Sequence, residues 1–172
     1  MGRNIEIKAR SKDFYLQSNT AGELSDGPSK QISQVDTFFQ VPRGRLKLRE
    51  FGDGTGELIQ YDRPDASGPT SSSYIRSHTS DPDTLKDALA TSLGIRAVVK
   101  KERTLYLAGQ TRIHLDEVFG LGRFIELEVV LEPDQAESEG TVIAEEMMSR
   151  LGIRPTDLIS ESYVDLLTKD YQ

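Results

Sequence analysis

Five segments of this chain place ionisable side chains at every second position, mostly with apolar ones between, and no other feature constrains the fold as much. Asn4, Glu6 and Lys8 alternate with Ile5 and Ile7, and Arg45, Lys47 and Arg49 with Leu46 and Leu48. Arg112, His114 and Asp116 alternate with Ile113 and Leu115; Glu126 and Glu128 flank Leu127; Lys101 and Arg103 fall together in a further segment. Successive strand side chains point to opposite faces, so a period of two gathers each charged set on one face of a β-strand.

Taken singly, each segment is an ordinary half-buried antiparallel strand, with charge in water and apolar residues in a core. Taken together they are less ordinary. Solvated surfaces mix the two signs of charge, yet residues 45–49 carry only basic groups and residues 126–128 only acidic ones. A sheet curled so that these faces converge would enclose a basic cavity with a carboxylate corner. Several cations in one cavity can neutralise a polyphosphate, with arginine gripping two oxygens at once. Carboxylates join such a site through a hard divalent cation, Mg²⁺ or Mn²⁺, that takes their oxygens on one side and phosphate oxygens on the other.

Composition narrows the classes. The 172 residues suit one domain, 1–172. The chain holds 21 basic and 28 acidic residues, a net charge of −7, which argues against wrapping nucleic acid. It has no cysteine and only two histidines, His78 and His114. Thiolate sites are therefore excluded, and a metal would need carboxylates. No apolar run is long enough to span a membrane, and MGRNIEIKAR lacks the apolar core of a secretion signal, so a cytoplasmic location is expected.

Strands are predicted over 4–9, 34–39, 45–49, 57–61, 74–76, 97–106, 111–118 and 124–131. Residues 12–34 give a weak helix and then a loop, and 64–73, rich in Ser, Gly and Pro, read as loop. Helices are predicted from Asp81 or Asp83 to Leu93, over Glu137–Leu151 with Val142, Met147 and Leu151 apolar, and over Thr156–Leu167. Met147 and Met148 read as packing. The balance is an α+β fold built on a large antiparallel sheet or barrel.

In order along the chain, these same residues resemble the CYTH (triphosphate tunnel) family. Asn4-Ile5-Glu6-Ile7-Lys8 stands for its opening Glu-x-Glu-x-Lys strand, Asp36-Thr37-Phe38-Phe39 for its Asp-Thr-aromatic-Phe segment, and Leu46-Lys47-Leu48-Arg49 for its basic strand. Lys101-Glu102-Arg103 follows, then Leu115-Asp116-Glu117-Val118, Leu121-Gly122-Arg123-Phe124-Ile125-Glu126-Leu127-Glu128, and Ser162-Tyr163-Val164-Asp165-Leu166-Leu167. The match is nearest to the class IV adenylyl cyclase-like branch.

The resemblance implies an antiparallel β-barrel forming a triphosphate tunnel, with helices packed outside. It implies a triphosphate-bearing small molecule as substrate (ATP, thiamine triphosphate or inorganic triphosphate) and Mg²⁺ or Mn²⁺ as cofactor. Glu6, Glu126 and Glu128 would serve the metal. Lys8, Lys47, Arg49, Lys101 and Arg103 would hold phosphate oxygens, and Asp116 would sit near the metal or orient a nucleophile, with Lys8 beside it in the catalytic set.

Three places depart from the family pattern. Asn4 replaces its first Glu. Asp62-Arg63-Pro64 stands where the family has a Lys-Gly-Pro-like segment, leaving Arg63 as the substitute cation although Asp62 is nearer in register. Ser160 and Glu161 stand where some members have a basic residue. These changes bear on metal affinity, rate and substrate choice. His114 reads as a structural or weakly binding residue, with a proton shuttle as the sharper alternative; His78 and Arg76 read as exposed. A non-catalytic nucleotide- or polyphosphate-binding module is the main competing function, and a plain structural α+β protein the third. A homodimer is compatible with the sequence, which shows no clear interface.

Overall fold

A computed structural model describes residues 2–169. Eight strands, β1 (Gly2–Arg10), β2 (Lys30–Phe39), β3 (Arg45–Phe51), β4 (Gly56–Asp62), β5 (Thr70–Thr79), β6 (Ile95–Ala108), β7 (Thr111–Val118) and β8 (Gly122–Val130), close into a barrel. Around it the order is β1-β5-β4-β3-β2-β6-β7-β8, and every neighbouring pair is antiparallel. Four helices accompany it: α1 (Phe14–Leu24), α2 (Pro82–Leu93), α3 (Glu137–Arg150) and α4 (Tyr163–Lys169). None of the described helices is long and apolar enough to cross a membrane.

The period-two pattern decides which way the barrel faces. Ile5, Ile7, Ile113, Leu115, Ile125, Leu127 and Val129 point outward and are covered by helices, where they join Ala144, Met148 and Leu151 in the main core. Burying each such aliphatic side chain contributes roughly 1.5–3 kcal/mol. The main apolar core thus lies outside the barrel wall, and the charged faces are left for the lumen. At one end the inward positions turn apolar: Phe38, Val99 and Phe124 meet Tyr163 and Val164. There α4 is docked by Asp165, which accepts from Arg96 at 2.6 Å, from Arg45 at 3.2 Å and from Ser162 Oγ at 2.6 Å.

Two glycines are required by geometry. Ala108 pairs with Thr111, leaving a two-residue loop with Gly109 at φ 56°, the left-handed value that primed hairpin turns need. On α3, a Cβ at Gly140 would stand 2.5 Å from Leu131 Cδ2 and 2.7 Å from Ile5 Cγ1, so only glycine lets the helix sit this close to β1.

The structure corrects several sequence boundaries. The loop read over 64–73 ends at Thr70, where a ten-residue strand begins. The local composition, with three serines in a row beside Gly and Pro, favours a turn, but Thr70, Ser71 and Ser72 pair with β1, Ser73 pairs with both β1 and β4, and that pairing overrides the local preference. The weak helix is real: Asp13 caps α1 by accepting from the Leu16 N–H, and buried Gln17 donates to the Leu151 carbonyl at 3.2 Å. The strand after it starts at Lys30. The last helix is split into a 3-10 turn, Pro155–Asp157, and α4. Between them the chain runs along β1, with Ile159 N–H donating to Lys8 C=O at 3.0 Å and Leu158 bridged to Ala9; those bonds compete with helix continuation. On α3 the packed stripe is Gly140, Ala144 and Met148, whereas Val142 faces solvent.

Candidate active site: a lumen with two charged walls

The lumen is a cavity of about 890 Å³. Lys47, Arg49, Lys101 and Arg103 line it from β3 and β6, Lys8 and Glu6 from β1, Arg112 and His114 from β7, and Glu126 and Glu128 from β8. Closure of the barrel therefore brings together every site residue expected from the sequence except Asp116, which shares the inward face of β7 but is fully buried against Arg103 and Tyr163 and does not line the cavity. Arg63 lies one residue past β4, on the inward parity of Glu57, Ile59 and Tyr61; it is 8% exposed and lines the cavity, while Asp62 is exposed. Arg76 lines the lumen and is exposed, and His78 is exposed beside Glu57.

On the basic wall, each arginine is held by a carboxylate behind it. Arg49 donates through Nε and Nη2 to Asp36, both at 2.8 Å, and Lys47 donates to the same group at 3.0 Å. Arg103 donates through Nε and Nη2 to Asp116 at 2.7 and 2.6 Å, and Asp116 also accepts from the Tyr163 hydroxyl at 2.9 Å. Burial pushes both carboxyls up, but the cations prevail. Arg49 and Lys47 hold Asp36 well below its ordinary range, and Arg103 and Lys101 bring Asp116 down to about 2. The same pairing raises both arginines. The lysines fare differently. Burial, and then the neighbouring Arg49, lowers Lys47; burial, and then Arg103, takes Lys101 well below its normal value. Two buried aspartates are too few for the cations on this wall, and the lysines bear the shortage.

The acidic wall has the reverse shortage. Register places Glu6 opposite Glu128 and Lys8 opposite Glu126. Burial first, then the charges of Glu128 and Glu126, push Glu6 up to about 7, against the pull of Arg63 3.6 Å away and of Lys8. Glu126 is better served: burial raises it, but Lys8 at 3.5 Å and Arg103 at 3.7 Å outweigh burial and keep it well below the ordinary range. Lys8 itself sits 3.9 Å over the Tyr163 ring.

Donor atoms of His114, Glu126 and Glu128 lie within 4.8 Å of one another, a grouping that could hold a metal ion. Glu6 is across the register from Glu128 and faces the same cavity but is not part of that trio. The residues suit a cation. The carboxylates crowd each other, and of the four buried polar atoms of lining residues without a hydrogen-bond partner, Asn4 Oδ1, Gln34 Oε1, Arg63 Nε and His114 Nδ1, the last belongs to the trio itself.

The model of the CYTH domain family matches residues 2–163. The chain belongs to that family. Among solved structures it is similar to the PH1012 protein of Pyrococcus horikoshii, with a TM-score of 0.83 at 22% identity over 95% of this chain and 98% of that one. It is also similar to a candidate adenylate cyclase of Vibrio parahaemolyticus, TM-score 0.77 at 17% identity, covering 96% and 97% of the two chains. A third is HpAC1 of Hippeastrum, a candidate adenylyl cyclase with a dominant triphosphatase activity, TM-score 0.69 at 16% identity, covering 99% and 96%. At these identities the likeness is one of fold. No curated protein sequence matches the chain.

Within this CYTH barrel, sequence reasoning assigned no role to Asp36 or Tyr163, and it read His114 as a structural or weakly binding residue with a proton shuttle as the alternative. Asp36 shares its face with Phe38 on β2, so its inward position was deducible from parity; that it would lie under Arg49 and Lys47 depends on the β2–β3 register. Tyr163 comes from a helix far along the chain, and no strand periodicity points to it.

Proposed function

We propose that this CYTH protein is a metal-dependent enzyme acting on a triphosphate-bearing small molecule, with hydrolysis of the terminal phosphoanhydride as the favoured reaction. One observation carries the reading: a single cavity is short of anions on one wall, where Lys47 and Lys101 are pushed down, and short of a cation on the other, where Glu6 is pushed up. A polyphosphate with a divalent cation corrects both at once. The family match and the triphosphatase activity of the Hippeastrum relative support the same assignment.

Lys8, Lys47, Arg49, Arg63, Lys101 and Arg103 bind the phosphate oxygens. Arg49 and Arg103, fixed in two-pronged grips by Asp36 and Asp116, present their remaining N–H groups to the lumen without needing to reorganise, the condition under which electrostatic stabilisation of a transition state is strongest. Asp116, being 0% exposed, acts through Arg103 as a positioning residue. Lysines held with lowered proton affinity gain charge stability when the anion arrives, so the binding energy is concentrated where phosphoryl charge develops. Glu126 and Glu128, with Glu6 across from them, would hold Mg²⁺ or Mn²⁺, which supplies Lewis-acid neutralisation of phosphate oxygens. In hydrolysis the oxygen of water forms the new bond to the terminal phosphorus while the bridging P–O bond breaks, its electron pair departs with the diphosphate, orthophosphate is the other product, and the proton released by water passes to solvent.

Product analysis tests the assignment. The purified protein is incubated separately with ATP, thiamine triphosphate and inorganic triphosphate, with Mg²⁺ and with Mn²⁺. Orthophosphate plus the corresponding diphosphate is expected, and the fastest substrate identifies the enzyme. Cyclic AMP plus pyrophosphate from ATP would replace hydrolysis with cyclisation, the activity suggested by the Vibrio relative. Tight triphosphate binding with no product would make the protein a binding module.

A further inference from the structure

His114 is 4% exposed, on the inward face of β7, with Arg112 and Asp116 on the same face. Its Nδ1 is fully buried and has no hydrogen-bond partner. Leaving a buried imidazole nitrogen unpaired is unfavourable, and polar groups that could relieve it stand close by. Nδ1 is 3.9 Å from Glu126 Oε1 and 4.0 Å from Glu128 Oε1. Those separations are too long for hydrogen bonds, and they suit three donors arranged around a common partner. Register explains the arrangement: His114 lies directly opposite Glu126 on β8, with Arg112 opposite Glu128.

We propose that His114 is a nitrogen ligand of the divalent cation held by Glu126 and Glu128, and that the site consequently favours Mn²⁺ over Mg²⁺. The inference rests on the metal assignment made above and adds a ligand that the carboxylate pattern does not contain. Mg²⁺ takes oxygen donors and releases its water reluctantly; Mn²⁺ shares the preference for oxygen but, as a transition ion, accepts an imidazole nitrogen more readily than Mg²⁺ does. Asn4 strengthens the argument, because an amide on β1 brings no charge to a hard-cation site. With fewer anionic oxygens available, a nitrogen donor shifts the balance toward the softer ion. Lys8 and Arg103, which neutralise Glu126 at 3.5 and 3.7 Å, are freed for phosphate oxygens once a cation takes that carboxylate.

The test uses the whole protein and Mn²⁺ alone, read by electron paramagnetic resonance. Loss of the free-ion signal measures affinity, and pulsed measurements detect a nitrogen nucleus bonded to the ion. Wild-type protein should bind Mn²⁺ with nitrogen coupling that changes to the heavy-isotope pattern when only histidine is labelled. His114→Gln should lose that coupling and bind Mn²⁺ about tenfold more weakly, with Mg²⁺ affinity, measured by competition, changing much less. His78→Gln, at an exposed site beside Glu57, should leave the coupling intact. Mn²⁺ bound without histidine coupling would overturn the role of His114 and leave the carboxylate site standing. Coupling abolished by His78→Gln would also overturn it. Failure to bind Mn²⁺ at all would overturn both this inference and the metal assignment beneath it. Should His114→Gln fail to fold, the isotope substitution in His78→Gln protein, where His114 is the sole histidine, decides alone.

Discussion

The two walls of the lumen solve the same problem, charge taken out of water, in opposite ways. On the basic wall Asp36 and Asp116 stand behind Arg49 and Arg103 and satisfy them in two-pronged geometry. On the acidic wall no cation among the described residues grips Glu6 or Glu128 in that way; the partners are Arg63 at 3.6 Å and Arg112 at 3.7 Å, beyond hydrogen-bond reach, and Glu6 rises to about 7. Under the function proposed above, the difference means that one wall is built in advance and the other is completed by an ion. A phosphate-binding surface must have its arginines aimed before the ligand arrives, whereas a cation supplied from solution organises carboxylates itself.

That contrast can be broken most severely from the acidic side. Glu126→Ala combined with Glu128→Ala should reduce metal-dependent turnover by roughly 100-fold or more. Circular dichroism should show the barrel intact, and isothermal titration should show that the basic wall still binds tripolyphosphate without metal. Unchanged turnover would remove the metal from these two residues.

Breaking the basic wall at its support has a different signature. Asp36→Asn leaves Arg49 and Lys47 as buried cations without their counter-ion, which should cost about 3–5 kcal/mol of stability in a denaturant melt. Added tripolyphosphate should restore part of that loss by supplying the missing anion. A loss that tripolyphosphate does not touch would mean that Asp36 holds packing rather than cations.

Glu6→Gln should act in the opposite direction. A carboxyl whose folded-state pKa is raised to about 7 binds its proton more tightly when folded, so the stability it contributes is full below its unfolded value of 4.5 and disappears as pH rises through about 7. At pH 8 without divalent ions the variant should therefore be more stable than wild type, by up to about 3 kcal/mol. The gain should vanish below the unfolded carboxyl pKa and shrink when Mn²⁺ is present. Asp116, lowered to about 2, has the reverse sign: its stability is present above its unfolded pKa and is lost only as pH falls through about 2. Equal pH profiles for Glu6→Gln and Asp116→Asn would erase the distinction between the walls.

The smallest expected effect is at the hinge between the walls. Tyr163→Phe removes one hydrogen bond to a charged Asp116 while Arg103 remains in place, and should cost about 1.5–3 kcal/mol at most. Turnover should fall much less than in the double glutamate variant, because the ring that lines the cavity is kept and only the hydroxyl's bond to Asp116 is lost.

How far the sequence reached depended on how local the cause was. Alternation along β1, β3, β7 and β8 was legible because each pleat is set by its own backbone, and it grouped Glu6 with Lys8, Lys47 with Arg49, and Glu126 with Glu128, and put His114 on a charged face, each set on one face of its strand. Strand β5 was half missed, because Thr70–Ser72 are held as strand by pairing with β1, a partner distant in the chain. The final helix was overextended for a similar reason: Leu158 and Ile159 are captured by the backbone of β1, a partner about 150 residues away along the chain.

By itself, the sequence determined that charged and apolar residues occupy opposite strand faces and that basic and acidic strands are separate. Only the tertiary structure decided that the charged faces turn inward, that Arg63 rather than Asp62 reaches the lumen, and that Asp36 and Asp116 stand behind their arginines while His114 meets two glutamates. Parity along a strand is a local property, since each side chain's face follows from its neighbours' torsions. Which strand lies beside which, and in what register, is set by closing an eight-stranded ring around the chain's own charges, and no single segment contains that information.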